Sequence, residues 1–159
     1  MRRSLPGTAA AVTATAVVGT LGTEVRSPWY LQLDKPSWQP PGWAFGPAWT
    51  TLYALLAAGS ARALDRAPSE AERLGLQRAL GLNLVLNAGW NWLFFKAQRP
   101  GLALAEVVLL EASTLDLAQR AGRVDRPAGR LLWPYAAWVA FATALNASIA
   151  RRNRPRRTP

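Results

Sequence analysis

Residues 29–53 read WYLQLDKPSWQPPGWAFGPAWTTLY, and this stretch decides the fold. Pro36, Pro40, Pro41 and Pro47 crowd it. Each proline removes a backbone donor and clashes with the preceding turn, so the segment is not expected to be helix interior. Trp29, Trp38, Trp43 and Trp49 are equally dense. A large apolar ring with one polar N–H is rarely left in a solvent loop. An ordered aromatic cap at a membrane–water boundary satisfies both constraints, because indole rings favour that boundary. The second half runs directly into the apolar TTLYALLAAGSA, which reads as a helix.

Outward from this segment, charge is segregated along the 159 residues. Uncharged runs cover Ser4–Thr23, Pro36–Ala61, Ala79–Phe95 and Leu131–Ala150, and arginine-rich joints separate them. Each approaches the ~20 residues that cross a bilayer. The mean hydropathy is near zero only because these runs and the joints cancel. The expected fold is all-α: a bundle of five transmembrane helices at about 5–21, 41–64, 77–95, 101–119 and 131–150. Residues 1–150 form one domain and residues 151–159 a basic, disordered tail. Ser69, three residues before Glu72, is a capping-box pattern within the link from Asp65 to Arg78. The start, MRRSLPGTAAAVTATAVVGTLG, reads either as a retained first helix or as a secretory or twin-arginine signal. The spans that follow it favour the helix.

A net charge of +10 would point to nucleic acid in a soluble protein. Here the arginines occupy links and the tail, with no aromatics interleaved in RRNRPRRTP, so anionic lipid headgroups are the expected partner and nucleic acid is not. Five spans would place ten Lys and Arg on one side and nine on the other, so the positive-inside rule leaves orientation open. Cysteine and histidine are absent and Met1 is the only methionine. That removes disulfides, Cys/His zinc sites, thiol nucleophiles and Ser–His–Asp chemistry, and leaves tyrosine alone among common haem ligands. No metal site and no required cofactor are expected.

Asn83, Asn87 and Asn91 recur every four residues and form one polar stripe on the third span, flanked by Trp90 and Phe94. The stripe either lines a cavity or bonds neighbouring helices. Glu106, Glu111 and Asp116 are five apart, about 140° in successive directions, so they do not share a face and make no paired-carboxylate site. Glu111 lies mid-span, where it is protonated, paired at an interface or facing a wet cavity. On the last span Trp138, Ala142 and Leu145 share a face, as ordinary packing or as one wall for a flat apolar guest opposite Trp49.

The chain resembles the tryptophan-rich sensory / translocator protein family over nearly its whole length. The matching motifs are Trp29-Tyr30, Lys35-Pro36, Trp38, Pro40-Pro41, Phe45-Gly46-Pro47, Trp49 and Leu52-Tyr53. They continue with Asn87, Trp90, Phe94-Phe95, Pro134-Tyr135, Trp138, Ala142 and Leu145-Asn146. The resemblance implies a five-helix membrane bundle, often a homodimer, with a cavity capped by the loop between its first two long helices. It also implies porphyrin, sterol and synthetic isoquinoline or benzodiazepine ligands. Carried over by position, the cavity would use Tyr30, Trp38, Pro41, Phe45, Trp49, Tyr53, Asn83, Asn87, Trp90, Trp138, Ala142 and Leu145. Asn83 stands where many members have glutamine. The cholesterol-recognition pattern of animal members needs a tyrosine followed by Lys or Arg, and no such tyrosine lies at the C-terminus, so high-affinity sterol binding is not expected.

The resulting expectation is a multi-pass receptor or carrier for protoporphyrin-type tetrapyrroles in the bacterial cell membrane, with the outer membrane left open. One alternative is a non-transporting sensor acting through partners. Another is an enzyme that degrades porphyrin in light, with Trp49 and Trp138 as catalytic residues, since a photoexcited porphyrin stacked on indole has an oxidisable neighbour.

Overall fold

The computed structural model describes residues 3–154. Its helices are α1 (Leu5–Gly22), α2 (Pro28–Gln32), α3 (Gly42–Asp65), α4 (Glu70–Asn91), α5 (Pro100–Val124) and α6 (Arg126–Arg152), with a π-helical turn, Trp92–Lys96, continuing α4. The described residues contain no strand. Five of the helices are long, and α2 is a single short turn within the connection from α1 to α3.

Local chemistry sets the boundaries. Ser27 caps α2 by accepting from the Tyr30 N–H at 3.2 Å, and Pro28 occupies the first turn, where its missing donor costs nothing. Ser69 accepts from the Glu72 N–H at 3.2 Å, so α4 starts at Glu70 rather than near Gln77 and much of the polar link is helix. The second arginine-rich joint shrinks similarly. The α5 helix runs on to Val124, and Asp125 alone separates it from α6 while capping the Ala128 N–H at 3.0 Å. At the other end α6 continues through Arg152, and the end of the basic tail lies outside the described residues. Pro47 lies inside α3, contrary to the expectation that prolines of residues 29–53 stay out of helix interiors, and Pro134 lies inside α6, within the expected last span. Pro47 is the sixth residue of α3, so it forgoes a bond to the Trp43 carbonyl in the first turn of the helix.

The α5–α6 hairpin is the most extensively packed pair. A Cβ on Gly129 would come 2.6 Å from the Gly122 Cα, so only glycine permits this approach. Gly59 of α3 similarly abuts Leu132 and the Ala128 carbonyl. At this end Asp125 pairs with Arg62 and with Arg66 (2.8 Å), tying α3 to the hairpin. Hydrogen bonds from Arg62 and from the Ala128 N–H, with both guanidinium charges, hold the Asp125 carboxyl below its usual value despite burial. The α1 helix lies against α3 and α4, and the Ser4 N–H donates to Asp65 at 2.9 Å.

Among the described residues one helix, Leu5–Gly22, meets a length-and-apolarity criterion for crossing a membrane. The other long helices carry Trp, Tyr, Asn, Pro or Glu within their runs, which lowers hydropathy even where those groups face inward.

Candidate functional site

At the end opposite Asp125, α3, α4, α5 and α6 separate around a cavity of about 460 Å³. The α1–α3 connection closes over it. Trp29 lies edge-on to Phe94 (5.7 Å between ring centres) and Tyr30 tilts on Phe95 (5.2 Å). Lys35 donates to the Tyr30 carbonyl and sits 4.4 Å over the Tyr30 ring. A two-way clasp joins the connection to α6: the Asp34 N–H donates to Asn153 Oδ1, and Asn153 Nδ2 to the Asp34 carbonyl, each at 2.9 Å.

Two aromatic clusters form the walls. From α3 and α6 come Phe45, Trp49, Trp138 and Phe141. Trp49 and Trp138 stand nearly perpendicular, 6.2 Å between ring centres, and Trp138 reaches Phe45 at 5.9 Å and Phe141 at 5.4 Å. Opposite, Trp90 stacks on Phe94 at 5.0 Å and meets Phe95 edge-on. Phe94 and Phe95 are adjacent in sequence yet both are buried. A regular α-helix would point them about 100° apart, and the wider π turn keeps both inside.

The base of the cavity is a directed hydrogen-bond chain across four helices. Tyr53 Oη donates to Asn87 Oδ1 (2.8 Å), Asn87 Nδ2 to Tyr135 Oη (2.7 Å), and Tyr135 Oη to Asn83 Oδ1 (3.3 Å). Asn83 Nδ2 then donates to Thr114 Oγ1 (2.9 Å), whose hydroxyl donates to the Leu110 carbonyl (2.8 Å). Higher up, Trp90 Nε1 donates to Asn146 Oδ1 and Asn146 Nδ2 to the Pro100 carbonyl, both at 2.9 Å. Asn91 Nδ2 donates to the Asn87 carbonyl, and Asn91 Oδ1 accepts from Thr23. The asparagine stripe therefore serves both of its readings: Asn83 is structural, while Asn87 and Asn91 line the cavity and also bond neighbouring elements, Asn91 reaching Thr23 at the end of α1.

Of the residues singled out by sequence, Tyr30, Phe45, Trp49, Asn87, Trp90, Trp138, Ala142 and Leu145 line the cavity. The others lie one layer back. Tyr53 packs on Trp49, Asn83 is fully buried beneath, Pro41 is the N-cap of α3, and half-exposed Trp38 braces Phe141 from outside. Gln39, Phe141 and Asn146 were missed, although Phe141 follows Trp138 by three residues and shares its helical face. Val107 and Leu110 of α5 also line the space, and as ordinary apolar residues they gave no signal. Glu106 and Glu111 do not line it. Both Glu106 carboxyl oxygens are buried without a protein partner, one of them near Gly89 of α4.

Among the described residues no Lys, Arg, Asp or Glu lines the cavity. Two wall atoms, Gln39 Oε1 and Trp138 Nε1, are buried with no hydrogen-bond partner among the described residues. Neither atom has accessible surface, so the space itself offers mainly ring faces.

An all-helical bundle whose long helices enclose an uncharged, aromatic cavity is thus the class to which the fold assigns this chain. The chain belongs to the TspO/MBR family, whose family model matches residues 8–152. It is 38% identical to the translocator protein of Homo sapiens over 129 residues, which cover 79% of this chain and 75% of the human one. It is 36% identical to the tryptophan-rich protein TspO of Chlorobaculum tepidum over 142 residues (88% and 89% of the two chains). It is 37% identical to protein CrtK of Rhodobacter capsulatus over 143 residues (88% of each). Membership makes it a membrane protein with a receptor-like role.

Proposed function

We propose that the protein is a receptor or carrier that binds protoporphyrin-type tetrapyrroles and related flat apolar molecules in this cavity. The bundle crosses the bacterial cell membrane with its five long helices, and two copies assemble as a homodimer. The observation that carries the reading is the pair of opposed aromatic walls around an uncharged space of about 460 Å³, within the usual range of small-molecule pockets. Ring stacking supplies the affinity. With no cation in the lining, the propionates of a porphyrin stay at the mouth. With no His or Cys in the chain, free-base protoporphyrin binds at least as tightly as haem. Titration of the purified protein with both, followed by tryptophan quenching, tests this. Much tighter haem binding with a six-coordinate low-spin spectrum would overturn it. Porphyrin flux into sealed proteoliposomes separates a carrier from a sensor that binds without transport and signals through partners.

The Trp49–Trp138 pair favours a second reading, light-dependent porphyrin degradation. Both indoles line the cavity, so a bound porphyrin would contact them. The excited porphyrin would take one electron from an indole, leaving an indole radical cation and a porphyrin radical anion. Dioxygen would add to that radical anion. Return of the electron from the adduct to the indole would leave a neutral porphyrin–dioxygen adduct whose C–C cleavage opens the ring, the net change consuming only porphyrin and dioxygen. Trp49→Phe and Trp138→Phe keep the aromatic face and remove the oxidisable indole. Normal binding with undiminished bleaching in both variants refutes this reading. Lost bleaching with intact binding supports it.

A further inference from the structure

A second groove, of about 360 Å³, runs down the outside of the bundle between α1 and α4, at the end away from the aromatic cavity. One wall is Arg3 and Ser4, just before α1, with Gly7, Thr8 and Ala11 of α1, and Leu64 of α3 closes the upper end. The α4 wall is Arg73, Gln77, Leu80, Gly81 and Leu84. These residues recur at three- and four-residue spacing, so each set is one continuous helix face. Glycine in a membrane helix commonly serves close approach of a neighbouring helix. Here it does not: a Cβ on Gly7 or on Gly81 would meet nothing within 4 Å. The single Thr8 hydroxyl proton is taken up among the Ser4, Leu5 and Ala57 carbonyls, and below Gln77 the groove is lined by Leu80, Gly81 and Leu84 with Ala11 opposite.

The mouth is cationic. Arg73 donates to the Leu64 carbonyl (3.0 Å) and to Ser4 Oγ (3.4 Å), which fixes its guanidinium across three helix ends while leaving other donors free. Among the described residues neither Arg3 nor Arg73 is in an ion pair. The nearby Asp65 carboxylate is engaged by the Ser4 N–H and offsets part of one charge. The rise from Arg73 to Leu84 is about 16 Å, close to half of a ~30 Å hydrocarbon core, or one leaflet.

We infer that this groove is a binding site for one anionic phospholipid, its phosphate between Arg3 and Arg73 and one acyl chain lying over Gly7 and Gly81. Gln77, one turn below Arg73, is at the depth of the ester carbonyls. The site is independent of the aromatic cavity, and its occupant is selected by headgroup charge and chain length rather than by ring stacking.

Native mass spectrometry of the full chain, released from micelles containing equal dioleoyl phosphatidylglycerol and dioleoyl phosphatidylcholine, tests it. The expected result is one retained phosphatidylglycerol per chain, preferred roughly tenfold for two arginines partly offset by one carboxylate. Gly81→Leu fills the groove and abolishes retention. Should that variant not fold, Gly7→Leu blocks the opposite wall. Gly101→Leu, at an equally open glycine on α5, leaves retention unchanged. Arg3→Gln, which breaks no hydrogen bond described here, lowers the preference to roughly threefold, and Arg3→Gln with Arg73→Gln brings it near equality. Equal retention of the two lipids by the parent overturns the inference, as does full phosphatidylglycerol retention by Gly81→Leu. If Gly81→Leu instead converts dimer to monomer with lipid retention unchanged, the face belongs to a second copy and the lipid site is refuted.

Discussion

Replacing Tyr135 with phenylalanine isolates the hydrogen-bond chain below the cavity. The Tyr135 ring is fully buried, and the substitution keeps it, so no packing void is created. What disappears is one hydroxyl, which accepts from Asn87 Nδ2 at 2.7 Å and donates to Asn83 Oδ1 at 3.3 Å. Interhelical hydrogen bonds in membrane proteins are worth about 0.6 kcal/mol each, which sets a floor near 1.2 kcal/mol for the two. Asn83 and Asn87 are themselves buried and cannot find water, so the cost rises toward the penalty for unpaired buried polar groups, about 2.5 kcal/mol in total. At roughly 2–4 °C per kcal/mol for a chain of this size, thermal unfolding in detergent should shift down by about 2–10 °C. Tyr53→Phe removes a single bond from the edge of the same chain and should cost about half as much. The double variant should depart from additivity by about 0.5 kcal/mol or more, because both hydroxyls bond the Asn87 amide. A Tyr135→Phe protein melting within about 1 °C of the parent, with additive double-variant behaviour, would refute the idea that this chain holds the helices in register.

Gly129→Ala places a methyl against the Gly122 backbone, which cannot yield as a side chain could, so a loss of about 1–3 kcal/mol or failure to fold is expected, read by detergent melting and size-exclusion profile. Asp125→Ala removes the α6 cap and both arginine partners and should cost about 1–3 kcal/mol in the same assay. Because the folded Asp125 pKa is depressed, its contribution is present above the unfolded carboxylate value and is lost as pH falls through the folded value. The parent's melting temperature should therefore exceed that of Asp125→Ala at pH 7, and the gap should close below about pH 4. A gap independent of pH would count against the ion pairs. Asn153→Ala opens the two-way clasp to Asp34 and should speed porphyrin release about tenfold in stopped-flow quenching. Unchanged release would mean that the α1–α3 connection does not hold the guest.

The sequence by itself determined the helical class and the existence of a dense aromatic surface. Alternation of uncharged runs with arginine joints is a one-dimensional signal, and so are caps such as Ser69. Helical spacing put Trp138, Ala142 and Leu145 on one face without any knowledge of what that face meets. The four-residue recurrence of Asn83, Asn87 and Asn91 was equally legible, but its meaning was not. The amides turned out to bond different sets of partners, Thr114 and Tyr135 for Asn83, Tyr53 and Tyr135 for Asn87, and Thr23 for Asn91, and only Asn87 and Asn91 also face the cavity. Those partners are brought together by tertiary packing across tens of residues of chain, which spacing cannot encode. Tertiary structure also decided that Tyr53 and Asn83 stand behind the wall while Gln39, Val107 and Leu110 reach it. A long side chain one layer out and a short one in contact look alike in sequence. The joint around Asp125 shows the same division. Its arginines read as a solvated link, yet Arg62 and Arg66 arrive from α3 to neutralise the aspartate, so two helices can meet across a single capping residue.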